Sequence, residues 1–343
     1  MILVRKVLPL ALLALAVTAP FLLPAFRVEL TMLWIMIVLA LSWDILGGQM
    51  GYNSFGNIVF FGIGVYTATI VQIGLFHDVG EYTAAAGMQT LSFTPTQYFI
   101  GLFVGLAAAP LVAAAAAFVL GRALLGLRGH YFAIATLGLG IAAGELAAGW
   151  AYIGGSSGVQ VPVYPGSLES GRLLLYFLSA GLGVATFAAL RRLYATRFGL
   201  VLNAIRDDED KAEALGLRTT RYKTIAWCIA ATFLGLAGGI MGHIIGFIDP
   251  REVAFAGASY GVWMVLMAIL GGKGTLWGPV IGATLFYAMR NLLWTYLFGW
   301  QNVAMGLLVV AVVVFFPIGI LGWLKRRHPQ IFLRGAPATR EAP

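Results

Sequence analysis

Residues 97–121 read QYFIGLFVGLAAAPLVAAAAAFVLG, twenty-five consecutive positions without a charged side chain. A helix needs roughly 20 mostly apolar residues to cross the hydrocarbon core of a bilayer. The run is continuous rather than alternating, which favours a helix over a strand of a membrane β-barrel. This stretch therefore predicts a transmembrane helix.

The remainder of the chain has the same character. Of its 343 residues, 60% are hydrophobic and 10% are charged, whereas a soluble domain carries roughly 25% charged residues. We predict an all-α, polytopic transmembrane helix bundle with about ten spans. They are 7–26, 28–47, 51–75, 97–121, 131–153, 171–195, 224–247, 255–272, 275–298 and 303–323. The alternative for 7–26 is a cleaved signal peptide, but its long apolar run favours an uncleaved span.

The distribution of lysine and arginine indicates the orientation. With the N-terminus inside, eighteen of the twenty-two cations fall in cytoplasmic segments, as the positive-inside rule requires. Arg27, Arg172 and Arg251 fall outside, and Arg290 falls within a span. Both termini are therefore expected in the cytoplasm. The net charge of +8 is explained by these loops and calls for no nucleic acid.

The chain is expected to form one transmembrane domain over residues 1–327, followed by a flexible cytoplasmic tail at 328–343. The tail is basic and then rich in proline and alanine, so we expect it to fray into solvent. The single cysteine, Cys228, lies within an apolar run. The sequence therefore predicts neither a disulfide framework nor a cysteine-based metal site.

The longest cytoplasmic segment, 197–223, reads RFGLVLNAIRDDEDKAEALGLRTTRYK. Asp207 or Asp208 is a suitable N-cap, and Gly216 is a suitable residue to end a helix in the left-handed conformation. We predict a short exposed helix between them, about 12 Å long at 1.5 Å per residue. Two interpretations remain open: an ordinary solvated loop, or a rigid element that docks into a partner through Ala212, Ala214 and Leu215, with Glu213 paired to a cation of that partner.

Polar residues within the spans mark a second candidate site. Residues 47–66 are rich in glycine and contain Asn53, Ser54 and Asn57, so this segment either lines a cavity or packs closely against other helices. The ionisable residues in or near spans are Asp44, Glu145, His243 and Arg290. Such groups are costly in lipid and are functional candidates, although each also has a structural interpretation.

Two catalytic motifs are disfavoured. Gly154-Gly-Ser-Ser-Gly158 fits the pattern of a hydrolase nucleophile elbow, but it lies between apolar spans rather than between a strand and a helix. The chain lacks the G-x-x-x-x-G-K-[ST] phosphate loop, so if ATP drives the protein, another subunit must hydrolyse it. An ion-driven secondary transporter would need ligands near the middle of the membrane, and few acids lie there. An intramembrane enzyme would need a metal or a nucleophile–base pair, and neither is evident.

The loop resembles the "EAA" loop of ABC importer permeases, in the variant of branched-chain amino acid permeases of the LivM type. Glu213, Ala214 and Gly216 match the core of that motif, with Leu215 in place of its second alanine. Arg221-Tyr222-Lys223 is also similar to the family. Four further segments resemble family signatures: Gly48–Tyr66, Leu127–Gly138, Gly154–Gly158 and Gly271–Gly282. One departure is Ile141, near where the family usually carries an acid, with Glu145 a turn later.

The resemblance implies a non-enzymatic permease of the bacterial inner membrane that imports branched-chain amino acids, or alternatively urea, amides or aromatic acids. It implies a second permease subunit, two ABC ATPase subunits and a periplasmic amino acid-binding protein as partners, and no cofactor in this chain. The residues expected to couple to the ATPase are Asp207, Asp208, Glu213, Ala214, Leu215, Gly216 and Arg221. The residues expected along the translocation path are Asp44, Asn53, Ser54, Asn57, Glu145, Gly155 and Ser156.

Overall fold

The computed structural model describes residues 16–84, 92–297, 299–300, 303–307, 310, 314 and 319–327. Within them the chain is almost entirely helical, as predicted. The helices are α1 Arg27–Gly47, α2 Ile58–Gly74, α3 Val79–Ala84, α4 Pro95–Leu124, α5 Gly129–Gly149, α6 Leu168–Tyr194, α7 Arg197–Asp207, α8 Glu209–Ala214, α9 Thr219–Ile245, α10 Val262–Gly271, α11 Gly278–Tyr296 and α12 Gly319–Arg327. Residues 16–22 and 303–307 are also helical.

Six helical segments of the described chain are long and apolar enough to cross a membrane. They are Pro24–Gly47, Pro95–Leu124, Gly129–Gly149, Leu168–Tyr194, Thr219–Ile245 and Pro250–Gly271. Helix α2 is apolar but shorter, at 17 residues, and α11 coincides with the predicted span 275–298. The predicted spans 7–26 and 303–323 and the tail 328–343 lie partly or wholly outside the described residues. A total of about ten spans therefore stays a prediction.

Two predicted boundaries were wrong. The span predicted at 51–75 begins as a non-helical segment over 51–57, and α2 starts only at Ile58. The span predicted at 255–272 enters through two π-helical turns, Pro250–Ala254 and Gly257–Gly261, before α10 begins at Val262. Both segments combine buried and exposed residues. A membrane fold tolerates such non-helical backbone where it is buried in protein or lines a water-filled cavity.

Local sequence signals explain several helix starts. Thr94 and Gln97 form a capping box at the start of α4: the Gln97 amide donates to Thr94 Oγ1 at 3.4 Å, and the Thr94 amide donates to Gln97 Oε1 at 3.0 Å. Ser167 caps α6 by accepting from the Ser170 amide at 3.2 Å. These side chains satisfy donors that have no partner within the helix.

Helices α2, α4 and α9 pack most extensively against one another and form the centre of the bundle. Two glycines allow this close approach. A methyl group at Gly64 would lie 2.1 Å from the Gly235 carbonyl oxygen, and one at Gly238 would lie 2.1 Å from the Phe61 carbonyl oxygen. Helix α1 packs on α6 and α9, and α10 packs on α11 and α1. The close-packing interpretation of the glycine-rich segment is therefore correct at Gly64.

A two-stranded antiparallel ladder joins β1, Val159–Gln160, to β2, Phe247–Ile248. Val159 pairs with Ile248 and Gln160 with Phe247. The ladder ties the segment after α5 to the end of α9. Within the described residues it is the one exception to an all-helical architecture.

Candidate functional site

The loop at 197–223 folds into two helices rather than the single one predicted. The additional helix, α7, is amphipathic and buries Gly199, Leu202 and Ile205 against the bundle. Thr196 caps it by accepting from the Phe198 amide at 3.3 Å. The three buried positions recur at helical spacing, so the sequence did carry a signal for α7.

The ends of α8 follow the sequence prediction closely. Asp208 is its N-cap, because Oδ1 accepts from the Lys211 amide at 3.0 Å. Asp207 instead ends α7 and forms an ion pair with Arg206 at 3.0 Å. Of the two predicted caps, Asp208 is therefore the one that acts on α8.

Gly216 ends α8 with a positive φ of 86°, as predicted. Its amide donates to the Glu213 carbonyl at 2.8 Å, and the Leu217 amide donates to the Ala212 carbonyl at 3.1 Å. This pair of bonds is the Schellman arrangement, which satisfies carbonyls at the end of a helix. Helix α8 is consequently a short rod with a fixed start and a fixed end.

The tip of α8 is open to its surroundings. Glu213, Ala214, Leu215 and Gly216 are all exposed, and the side chain of Leu215 is 83% exposed. Ala212, in contrast, is only 2% exposed. The prediction that Ala212 contacts a partner was wrong, because this residue anchors α8 on its own bundle.

Arg128, in the turn before α5, bridges the acids of α8. It lies 2.5 Å from Asp210, 3.2 Å from Glu213 and 3.6 Å from Glu209. Glu213 also accepts from Thr219 Oγ1 at 2.5 Å. In this structure the cation of Glu213 is Arg128 of the same chain, and its pairing with a cation of a partner stays a prediction. Arg221 is exposed and lies outside this cluster.

Beneath α8 lies a buried lysine. The ammonium group of Lys223, which is 1% exposed, donates to Glu209 Oε1 and to the Leu125 carbonyl at 2.7 Å each and to Tyr52 Oη at 3.0 Å. Tyr52 in turn donates to the other oxygen of Glu209. Burial alone would raise the pKa of Glu209, but the bonds from Lys223 and Tyr52 outweigh it and lower that pKa below its ordinary value.

The segment 51–57 is wedged between helices. Trp43 Nε1 donates to the Ser54 carbonyl at 2.7 Å, and Trp227 Nε1 donates to Asn57 Oδ1 at 2.9 Å. The Phe55 amide donates to Thr136 Oγ1 at 3.2 Å. Ser54 and Asn57 are buried, whereas Asn53 is exposed. Ser54 Oγ and Asn57 Nδ2 have no partner among the described residues.

Asp44 holds a second loop. It is buried at the end of α1, and Oδ1 accepts from the Gly274 amide at 2.7 Å. Gly274 belongs to the turn between α10 and α11, within one of the glycine-rich signatures of the sequence. Asp44 therefore joins α1 to this turn and has a clear structural task in the described structure.

Glu145 lies in the last turns of α5, and Gly155 and Ser156 lie in the turn that follows it. Glu145 forms a bidentate ion pair with Arg251, at 2.9 Å and 2.7 Å. Both side chains remain more than half exposed, at 58% and 54%. Gly155 is buried in the turn after α5, and Ser156 is exposed. Arg251 follows α9, so this pair brings together residues 106 positions apart.

The sequence prediction missed Tyr52, Arg128, Glu209 and Lys223 as members of the site. A signal existed for three of them, because Tyr52, Arg128 and Lys223 lie within segments that resemble family signatures. Their partners depend on long-range packing. Within the described residues no group of three metal-ligating side chains could hold a metal ion.

Comparison with known proteins places these features in a family. The family model described as the permease component of branched-chain amino acid transport systems matches residues 29–317. LivM of Salmonella typhimurium, described as a high-affinity branched-chain amino acid transport system permease protein, is 28% identical over 98% of this chain and 79% of its own length. LivH of Salmonella typhi is 28% identical over 46% of this chain and 51% of its own length.

The name of a more distant relative refers to a different transported substrate. The autoinducer 2 import system permease protein LsrC of Yersinia enterocolitica is 29% identical over 35% of this chain and 34% of its own length. No solved structure matches significantly. Since the family model covers most of the chain, and since the apolar helices fit a multi-pass membrane protein, the chain belongs to the family of branched-chain amino acid transport system permease components.

Proposed function

We propose that this chain is a transmembrane subunit of an ATP-driven importer of branched-chain or closely related amino acids in the bacterial inner membrane. It assembles with a second permease of the same family, two ATPase subunits and an external amino acid-binding protein. Family membership and the names of the relatives support the permease role and the substrate class. The chain itself needs no cofactor for this task, since ATP is hydrolysed by the partner subunits.

The observation that carries the ATPase assignment is the geometry of α8. A capped helix of six residues is anchored on the bundle through Ala212 and Glu209 and carries an exposed leucine directly after its last residue. This helix lies in the segment that resembles the "EAA" loop of ABC importer permeases, and its exposed end is accessible to a partner. Asp208 and Gly216 fix the direction of the rod, and Ala214 and Leu215 supply the contact surface.

A matched pair of truncations tests this assignment. Leu215→Ala should weaken ATPase retention roughly tenfold, because full burial of a leucine is worth about 1.5–3 kcal/mol. Leu200→Ala is the control, since Leu200 is 69% exposed on the neighbouring helix α7. The measurement is the amount of ATPase that co-purifies with each variant, beside leucine uptake in membrane vesicles. Equal retention by both variants would show that the tip of α8 is a solvated connector.

We further propose that the exposed pair Glu145–Arg251 faces water between the two permeases, with Ser156 and Asn53 on the same path. Facing lipid, two charged side chains in or beside a span would be costly. Ser54, Asn57 and Asp44 are buried, and we assign them to positioning that path rather than to contacting substrate.

Cysteine labelling tests this assignment. In a Cys228→Ala background, Glu145→Cys in the assembled complex should react with a membrane-impermeant thiol reagent. Leu111→Cys on α4, which is also exposed in the isolated chain at 71%, should stay unlabelled because it faces lipid. An unreactive Glu145→Cys would contradict a water-facing α5.

A further inference from the structure

The buried ammonium of Lys223 joins three separate segments of the chain. Its partners are Leu125 at the end of α4, Glu209 at the start of α8 and Tyr52 in the segment 51–57. A lysine ammonium has three N–H donors, and all three are used here. Glu209 receives a second bond from Tyr52. We name Lys223, Glu209 and Tyr52 the buried hub.

A buried charged pair is a weak source of stability, because desolvation opposes its attraction. Such groups are retained in some proteins because they fix one arrangement of the segments that they join. The buried hub has the geometry for this, since removing any one member leaves another buried polar group without its partner. It therefore specifies one position of α8 relative to segment 51–57.

A second connection between α8 and the bundle, through Arg128, is of a different kind. Arg128 is 47% exposed, and two of its acids, Asp210 and Glu213, are exposed as well. Exposed ion pairs contribute little and are screened by salt. Of these two connections, the buried hub is the one that can hold α8 in a fixed position when a partner displaces it.

Segment 51–57 links the buried hub to helices in the interior of the bundle. Its far end is bound to α9 through Asn57 and Trp227 and to α5 through Phe55 and Thr136. Close to the buried hub, the ring of Tyr52 packs edge-to-face on Phe132 of α5, with centroids 5.3 Å apart. A displacement of α8 can thus reach α5 through a continuous series of contacts.

We propose that Tyr52, Glu209 and Lys223 are positioning residues for energy coupling: the buried hub locks α8 to segment 51–57, so that movement imposed on α8 shifts α5 instead of bending the loop. This rests on the proposed docking of α8 to an ATPase. It adds residues and a route that the docking proposal does not contain. Loss of the hub should leave ATPase binding in place and separate ATP hydrolysis from transport.

The principal variant is Tyr52→Phe, which removes one hydroxyl and keeps the ring contact with Phe132. The matched control is Tyr222→Phe, the same chemical change one residue before Lys223, where the ring packs on Phe198 at 5.7 Å. A second variant, Glu209→Gln, keeps the size of the side chain and removes its charge. The assay uses the whole importer in proteoliposomes and measures three quantities: ATPase retained, ATP hydrolysed, and leucine transported.

The parent and Tyr222→Phe should retain the ATPase and transport leucine equally. Tyr52→Phe should retain the ATPase and hydrolyse ATP at the parent rate, while leucine transported per ATP falls at least roughly tenfold, because the lost hydroxyl bonds both Lys223 and Glu209. Glu209→Gln should lower the same ratio. Added salt should not restore the ratio of leucine transported to ATP hydrolysed in either variant, because salt screens exposed charges and the hub is buried.

Other outcomes separate the two proposals. If Tyr52→Phe and Glu209→Gln keep the parent ratio of transport to hydrolysis, the positioning role is wrong while the docking proposal stands. If both variants lose ATPase retention and transport in equal proportion, the hub only supports folding of the loop, and the positioning role is again wrong. If the parent chain itself retains no ATPase, the docking proposal fails first.

Discussion

Replacing Gly216 with valine tests whether the shape of α8 matters for function. Gly216 has a φ of 86°, and a Cβ atom built there meets no heavy atom within 4 Å. Within this chain the added side chain has room, so its cost to the fold of α8 comes from the backbone. A left-handed conformation costs an L-residue about 1–2 kcal/mol, which corresponds to a factor of roughly 5–30 in the population of the capped form.

Two further substitutions isolate this effect. Gly216→Asn should be milder, because asparagine visits the left-handed region more readily. Gly126→Val is the control for a bulky β-branched residue on the same side of the protein, since Gly126 is also in open space but has no positive φ. Insertion into the membrane should be normal for all three variants, because none of them touches a span.

The assays are ATPase co-purification and leucine uptake, with amide hydrogen exchange at Gly216 and Leu217 as a direct test of the cap. Both amides should exchange faster in Gly216→Val, because they donate the two bonds of the cap. Retention and uptake should fall together in the order parent, Gly216→Asn, Gly216→Val. If the valine variant shows faster exchange but parental retention and uptake, the direction of α8 is irrelevant to coupling and the reasoning is refuted.

Three further predictions concern topology, packing and pH. Reporter fusions after Gly80 and Gly166 should show an external location and a fusion after Lys211 a cytoplasmic one, as the cation distribution requires; an external signal at Lys211 would overturn the orientation. Asp44→Leu should lower the free energy of unfolding in detergent by about 1–3 kcal/mol, because the partly buried Gly274 amide loses its acceptor. Asp44→Asn keeps an acceptor and should stay near the parent. The pKa of Glu209 is lowered in the folded state. The stability that the Glu209 carboxylate contributes should therefore be complete above the ordinary glutamate pKa and should vanish as pH falls through the lowered value. A Glu209→Gln variant whose melting temperature falls in acid as much as that of the parent would contradict this.

The ends of α8 could be predicted from the sequence because they depend on neighbouring residues. Asp208 caps a donor three residues later, and Gly216 closes bonds within the same turn. Such signals are local and are read directly from the chain. The helical character of the spans was equally accessible, because apolar composition and length decide it.

The partners of the charged residues could not be predicted in this way. Glu213 meets Arg128 across 85 positions, and Lys223 meets Tyr52 across 171. These pairs depend on which spans lie side by side, and a single sequence contains no direct signal for that. The same limit explains why the sequence prediction missed Arg128 as the cation of Glu213 and why Ala212 was expected at the surface. The glycines and polar residues of 51–57 indicated that this segment could depart from a plain helix. Its exact extent depends on hydrogen bonds with Trp43, Thr136 and Trp227, which lie far away in the sequence.

The direct backbone contact of α2 with α9 limits which substitutions these two helices can accept. At Gly64 and Gly238 even alanine would collide with a carbonyl oxygen on the opposite helix. The residue facing Gly64 is Gly235, which is already the smallest available, so a larger residue on one side has no compensating change on the other. A paired substitution, in which a larger residue on one helix is matched by a smaller one on the other, is therefore impossible at Gly64 and Gly235. In a saturation library of α2 and α9, substitutions should therefore accumulate on the outward faces of the two helices. Gly64, Gly235 and Gly238 should stay glycine in every clone that transports.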